Sequence, residues 1–546
     1  MASTIYTPKP KKNKFDLSRE VKMSGNMGNL YPCFIQDIIP GDSFRVNTQQ
    51  MVRFSPLLAP MMHNVDFKVD YFFVPYRLVW DEWKDFITGG EDGNDLPSFP
   101  RVAISLNRAQ TILTPKSLAD YLGIPPYTAT PSIEGAWSDT QAAQDLQEIS
   151  LLPFRAYQLI WHEYFRDQNC GDEHPQYTTS GFATIGTEIN DQMTLRKTNW
   201  EKDYFTSALP FLQRGGEVTL PLGDTAPLLF GDYDGNPATF NQHVKSSTTG
   251  NNFTGSNDAL RADYNSGILE TTGNALVNID VSDTHVVDLT NATGATINEL
   301  RKASALQQWL ELMARAGSRY REQIHAIFGE RIADYTVQVP QYLGGGKTPI
   351  MVSEVLSTYK NEANSGSGED RPVGDMSGHA LGLGNGLGFT QSFDEHGIVL
   401  GVCRVVPKSA YNQGLSKFWQ KFDKFDHYFP QFANIGEQPI YNKELYISGE
   451  SGDDADEGIF GYQQRYAEYK YAFNRVAGDF RSNLKHWELS RRFTSHPVLN
   501  QSFVECTPDD RIFAITDETE DKVWISLYHN VDALRPMPYH SNPSLT

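Results

Sequence analysis

The stretch that decides the fold is VDFKVDYFFVPY, residues 65–76. It begins as an alternation of apolar and polar residues and then becomes continuously apolar. A strand buried against a sandwich core reads this way, and Pro75 is expected to end it or to place it at an edge. Its neighbours upstream read alike. SFRVNTQQMVRF (43–54) alternates as a half-buried strand should, and CFIQDII (33–39) stops at the turn signal Pro40-Gly41. Apolar, β-branched runs return near the other end of the chain, in HGIVLGVCRVVP (396–407) and KVWISLYHNV (522–531). Strands at both ends suit a sandwich whose sheets combine distant segments.

Between them the period changes. In 152–169, Phe154, Tyr157, Ile160, Trp161, Tyr164 and Phe165 form a helical stripe, with Pro153 in the first turn. A second helical pattern spans 296–329. Thr296 and Glu299 have capping-box spacing, Gly317 marks a break and Gly329 fits a C-terminal cap. Residues 231–296 are rich in Asn, Thr, Ser, Gly and Asp and sparse in large apolar groups, as expected of a polar surface insertion. Polar loops are expected at 361–378 and 448–458. Residues 1–30 read as an extended basic arm without helical or strand periodicity. The class is therefore mainly β, one large domain (1–546) with long helical and loop insertions.

The chain has 546 residues and a net charge of −20, so a surface that wraps DNA all over is excluded. Within residues 1–22 six basic residues face two acidic ones, and Lys9, Lys11, Lys12 and Lys14 are the candidates for a local contact with nucleic acid. Cys33, Cys170, Cys403 and Cys506 have no metal-ligand spacing and read as free thiols. The first residues carry no apolar leader and no run reaches the length of a membrane span, so neither is expected.

Chemical motifs fail on spacing. GGGKT (344–348) resembles the end of a phosphate-binding loop, but the required earlier glycine position is Gln341, and it reads as a flexible turn. LGLGNGLG (381–388) misses the dinucleotide fingerprint and reads as a glycine-rich loop. His162-Glu163 lacks the second histidine of a zinc helix, where Arg166 stands. Asp453, Asp454, Asp456 and Glu457 miss the calcium-loop spacing and read as a solvated acidic loop. No catalytic, metal or cofactor residues are expected. Composition alone leaves open a β-sandwich glycosidase, which would need a paired set of carboxylates, and a β-fold adhesin.

A longer comparison narrows the choice. The block FDLSREVKMSGNMGNLYPCFIQDIIPGDSFRVNTQQMVRFSPLLAPMMHNVDFKVDYFFVPYRLVWDEWKDFITGG (15–90) resembles the major capsid proteins of gokushoviruses, a branch of the Microviridae. So do LPFRAYQLIWHEYFRDQN (152–169), KDYFTSALPFLQRG (202–215), INELRKASALQQWLELMARAGSRYREQI (297–324) and YLGGGKTPI (342–350). FDEHGIVLGVCRVVP (393–407), IGEQPIYNKELY (435–446), GYQQRYAEYKYAFNRVAGDFRS (461–482) and LRPMPYH (534–540) complete the series in the family's order. The resemblance implies an eight-stranded viral jelly roll and sixty copies in a T=1 icosahedral shell around a circular single-stranded DNA genome. It implies a small basic DNA-binding virion protein and other minor virion proteins as partners, assembly in the host bacterial cytoplasm, and no enzymatic activity. It also places 231–296 where the family carries a variable protrusion at the threefold axes that touches the host surface.

Overall fold

The computed structural model describes residues 11–540, apart from 105–111, 128–146, 184–185, 217, 219–227, most of 231–296, 359–372 and 450–454. Two compact units divide the chain: residues 1–212 with 313–546, and residues 213–312.

The first unit is built on nine strands: β1 (Asn13–Asp16), β2 (Arg19–Gly25), β3 (Tyr31–Ile38), β4 (Ser43–Phe54), β5 (Val65–Pro75), β6 (Gln341–Leu356), β7 (Met376–Ser392), β8 (Gly397–Pro407) and β9 (Val523–Arg535). One sheet runs β2-β9-β4-β7 and the other β3-β8-β5-β6, with β1 extending the β9 edge and β6 pairing β7 where the sheets meet. All the pairs are antiparallel. From β2 to β9, the first, eighth, third and sixth strands make one sheet and the second, seventh, fourth and fifth the other. That order is a jelly roll, the closed double Greek key by which two sheets share one core and leave few free edges.

The alternation in β4 is realised residue by residue. Phe44, Val46, Val52 and Phe54 point between the sheets, while Arg45, Gln49, Met51 and Arg53 point to solvent. Strand β5 differs because both of its faces are buried. Phe67, Val69, Tyr71 and Phe73 enter the core between the sheets. Phe72 and Val74 join a second core on the outer face, together with Ile398, Leu400 and Val402 of β8. That second core is closed by helix α1 (Leu152–Ile160), through Leu152, Phe154, Tyr157 and Ile160, and by Trp80 and Leu118. Double burial removes the need for alternation and explains the continuous apolar runs.

At the centre of the sandwich buried polar groups bridge the sheets, His529 among them. His529 of β9 is fully buried. Its Nδ1 lies 2.8 Å from Thr48 Oγ1 and its Nε2 3.0 Å from the Cys33 carbonyl of the opposite sheet. Since a carbonyl only accepts, Nε2–H is the donor and Nδ1 accepts from the Thr48 hydroxyl. Burial, aided by the charge of Arg19, pushes the His529 pKa down to about 4 against the hydrogen bond to Cys33.

Four expectations are corrected. The arm read over 1–30 is strand from Asn13: β1 and β2 lie along β9, with Asn13 opposite Arg535 and Gly25 opposite Val523. GGGKT is the interior of β6, where Gly345 and Gly346 pair with Asp70 and Val69, so it is not a turn. LGLGNGLG lies within β7, not in a loop. Gly388 is there because a Cβ would sit 1.9 Å from the Val46 carbonyl oxygen, and Gly386 because the bulge between Asn385 and Leu387 takes φ +95°. The first helix is shorter than 152–169: α1 passes into a π-helical turn, Trp161–Phe165. The second pattern forms α2 (Ile297–Ala316) and α3 (Tyr320–Phe328), separated at Gly317 and ended by left-handed Gly329. Thr296, its expected cap, lies outside the described residues.

Among its described residues the second unit holds three nested antiparallel pairs: Leu228–Phe230 with His285–Val287, Val244–Ser246 with Val277–Ile279, and Leu260–Ala262 with Leu269–Thr271. The rest of the polar segment 231–296 lies outside the described residues.

Candidate interaction surfaces

The groups that carry chemistry are occupied in holding structure. Glu163 Oε1 lies 2.9 Å from His162 Nδ1, and its Oε2 accepts from Arg319 Nε at 3.1 Å, tying the π turn to the start of α3. Asp456 pairs with His496 at 2.6 Å and Glu457 with Lys443 at 2.5 Å, while Asp453 and Asp454 lie outside the described residues. Lys347 of the GGGKT stretch pairs with Asp66 at 3.3 Å. All four cysteines are free thiols. Burial pushes Cys170 up to about 12 and raises Cys33 and Cys506 well above the ordinary thiol range, which leaves them unreactive. Among the described residues no group of three or more His, Cys, Asp and Glu is placed to hold a metal ion, and no helix is long and apolar enough to cross a membrane.

Of the candidate nucleic-acid lysines, Lys9 lies outside the described residues. Lys11 and Lys12 are exposed just before β1. Lys14 stands on the solvent side of β1 and pairs with Asp532 of β9 at 2.8 Å. The structure thus brings Lys14, with Lys11 and Lys12 beside it in the chain, to one end of the first sheet.

The most unusual surface went unread in the sequence. After β8 the chain runs LSKFWQKFDKFDHYFPQFANI (415–435), in which Lys417, Lys421 and Lys424 are each followed by Phe. Three short 3-10 turns shape it, at Lys417–Gln420, Lys424–Asp426 and Pro430–Phe432. Phe418 and Trp419 are about two-thirds exposed and Phe422 is 91% exposed, with Tyr428, Phe429 and Ile435 exposed beside them. The segment is nonetheless anchored. Lys421 makes a buried ion pair with Glu468 at 3.1 Å, and the Phe425 carbonyl accepts from Arg465 at 2.8 Å and from the Tyr466 hydroxyl at 3.1 Å. Exposed aromatic rings carried on an anchored backbone are the kind of surface that a partner covers. The lysine-phenylalanine spacing was the available signal. It resembles neither an amphipathic helix nor a strand, so a search by periodicity passes over it.

An eight-stranded jelly roll with long insertions and an exposed, anchored aromatic surface fits a viral coat subunit. Comparison with known proteins agrees. The sequence model of the phage capsid protein (F protein) family matches residues 3–545, and the chain belongs to that family. It is 33% identical to capsid protein VP1 of Chlamydia phage 1, over 100% of this chain and 97% of that protein. It is 34% identical to capsid protein VP1 of Bdellovibrio phage phiMH2K (98% and 95%), and 28% identical to capsid protein VP1 of Spiroplasma virus 4 (98% and 95%). The chain is thus a major capsid protein of the gokushovirus type within the Microviridae, a structural component of the virion and not an enzyme.

Proposed function

We propose that sixty copies of this chain close into a T=1 icosahedral shell around a circular single-stranded DNA genome, assembling in the cytoplasm of the host bacterium. The observation that carries this reading is the family match across the whole jelly roll, joined to the anchored aromatic display at 415–435, which one subunit leaves uncovered. Closed symmetry lets many copies of one modest contact add to a stable particle. A net charge of −20 leaves the genome's phosphates unneutralised, so a small basic virion protein accompanies the DNA inside, with other minor virion proteins in the particle. In this reading Lys9, Lys11, Lys12 and Lys14 of the basic N-terminal arm meet the genome's phosphates. The polar segment 231–296 projects at the threefold axes and touches the host surface. The test is electron microscopy of the purified chain, expressed with the basic protein and without it. Closed icosahedral particles of one size are expected. Only monomers or fibres under both conditions would overturn the shell.

A further inference from the structure

The two sheets of the jelly roll have different outer faces. The β3, β8 and β5 strands of one sheet are covered by the second core, whereas the solvent side of β2-β9-β4-β7 has no described layer over it. The registers order what that bare face presents. Leu381, Arg53 and Trp524 lie in one row across β7, β4 and β9; Leu383, Met51 and Ser526 lie in the next; Asn385, Gln49 and Tyr528 follow. Trp524 is 46% and Tyr528 44% exposed. They share one strand and one face four residues apart, about 13 Å. A shallow depression of about 360 Å³ lies between Met51, Leu383, Ser526 and Tyr528.

The charges on this face are unevenly satisfied. Lys22 pairs with Glu20, and Lys14 with Asp532. With those acids held, the exposed guanidinium groups of Arg45 and Arg53 have no ion pair or side-chain hydrogen bond among the described residues. Arg53 stands directly opposite Trp524. Free arginines in an acidic chain call for an anionic partner. Flat rings set beside them call for a partner with planar faces, and single-stranded nucleic acid supplies both at short spacing. Lys14 stands on β1 at the edge of the same sheet, with Lys11 and Lys12 just before it in the chain.

We propose that this bare face is a binding site for single-stranded DNA, in which Trp524 and Tyr528 stack on bases while Arg45 and Arg53 hold the flanking phosphates. It rests on the reading that the coat encloses such a genome. Binding is insensitive to base sequence, since rings and guanidinium groups read no base edges.

The test uses the full chain and a short fluorescein-labelled oligothymidylate, followed by fluorescence anisotropy across a salt series. All four side chains point away from the core, so W524A/Y528A and R45Q/R53Q are expected to keep the wild-type circular dichroism and melting temperature. Removing both rings should weaken binding about tenfold or more. Removing both arginines should lower the slope of log affinity against log salt by about 1.4, the signature of two lost phosphate contacts on a single strand. Wild-type affinity and salt slope in both folded variants would overturn the site and leave the coat assignment, which microscopy reads separately, intact. A wild-type chain that binds no oligonucleotide at low salt overturns it as well. So does a variant that binds DNA normally but no longer assembles, which would make the face a contact between coat subunits.

Discussion

His529 makes the stability of the sandwich depend on pH in a direction fixed by its surroundings. In the unfolded chain the imidazole takes up a proton near 6.5, whereas in the folded chain burial holds it off until about 4. Between these values the unfolded state binds more protons, so stability falls as pH falls. The contribution is complete above 6.5, declines through the window and is flat below 4. That gap corresponds to roughly 3 kcal/mol. His529→Gln keeps one donor for the Cys33 carbonyl and one acceptor for the Thr48 hydroxyl but cannot titrate. Imperfect geometry in the core should destabilise it by about 1–2 kcal/mol at pH 7.5. Near pH 4 the order should reverse, with the variant more stable than wild type by about 1–2 kcal/mol, since the wild type alone has lost its roughly 3 kcal/mol. The assay is urea unfolding of unassembled subunits, followed by tryptophan fluorescence, at a series of pH values. Parallel curves for the two proteins, with no crossing, would refute both the neutral buried imidazole and the tautomer assigned to it.

Glu444 should show the opposite slope: burial pushes its carboxyl up to about 7, so stability is lost as pH rises from 4.5 to 7. Glu444→Gln should therefore gain on wild type by up to roughly 3 kcal/mol across that window, and a pH-independent difference between their urea midpoints would count against it. Gly388→Ala would place a methyl group 1.9 Å from the Val46 carbonyl and should yield little soluble protein. Gly386→Asn has no atom within 4 Å of the new Cβ and needs only the left-handed backbone that asparagine tolerates; it should cost no more than about 1–2 kcal/mol, and equal soluble yields of the two variants would contradict the packing argument. Phe422→Ser removes a ring that is 91% exposed. It should leave the melting temperature of the free subunit unchanged while abolishing particles in sedimentation, as loss of a contact worth about 2 kcal/mol or more would do in every copy. Normal particles would show that 415–435 is no subunit contact.

What the sequence disclosed follows from how each strand is buried. β4 alternates because one face is wet, and its expected and observed ends coincide at 43–54. β5 and β8 run apolar because the sandwich and the helical layer bury them from both sides. β1 and β2 were missed although Phe15, Val21 and Met23 do alternate with Lys14, Glu20 and Lys22. At a wet sheet edge the inward residues are only half buried, and charges on the alternate positions mask the pattern. β6 and β7 were missed for another reason. Glycine usually signals a turn, but here several glycines admit a neighbouring strand that a side chain would push away, an arrangement visible only once Gly388 is seen against Val46 and Gly345 against Val69. The interaction surfaces were less legible still. The pair Arg45 and Arg53 is far in the chain from the pair Trp524 and Tyr528, and the two come onto one face only through the β4–β9 register.

On the proposed assembly, the two cores serve folding and the uncovered rings at 415–435 serve contact between subunits. The sandwich and helical-layer cores bury their large side chains without help from another chain, and the polar bridge at His529 is satisfied within one subunit. Phe418, Trp419 and Phe422 add little to that stability while they face water, yet an ion pair and two carbonyl hydrogen bonds hold their segment in place. Anchoring the backbone in advance leaves less conformational entropy to be lost at docking. A shell made from many weak contacts requires this arrangement. Each subunit must be complete enough to stay soluble alone, and rigid enough that a contact of a few kcal/mol is not consumed in ordering its own surface.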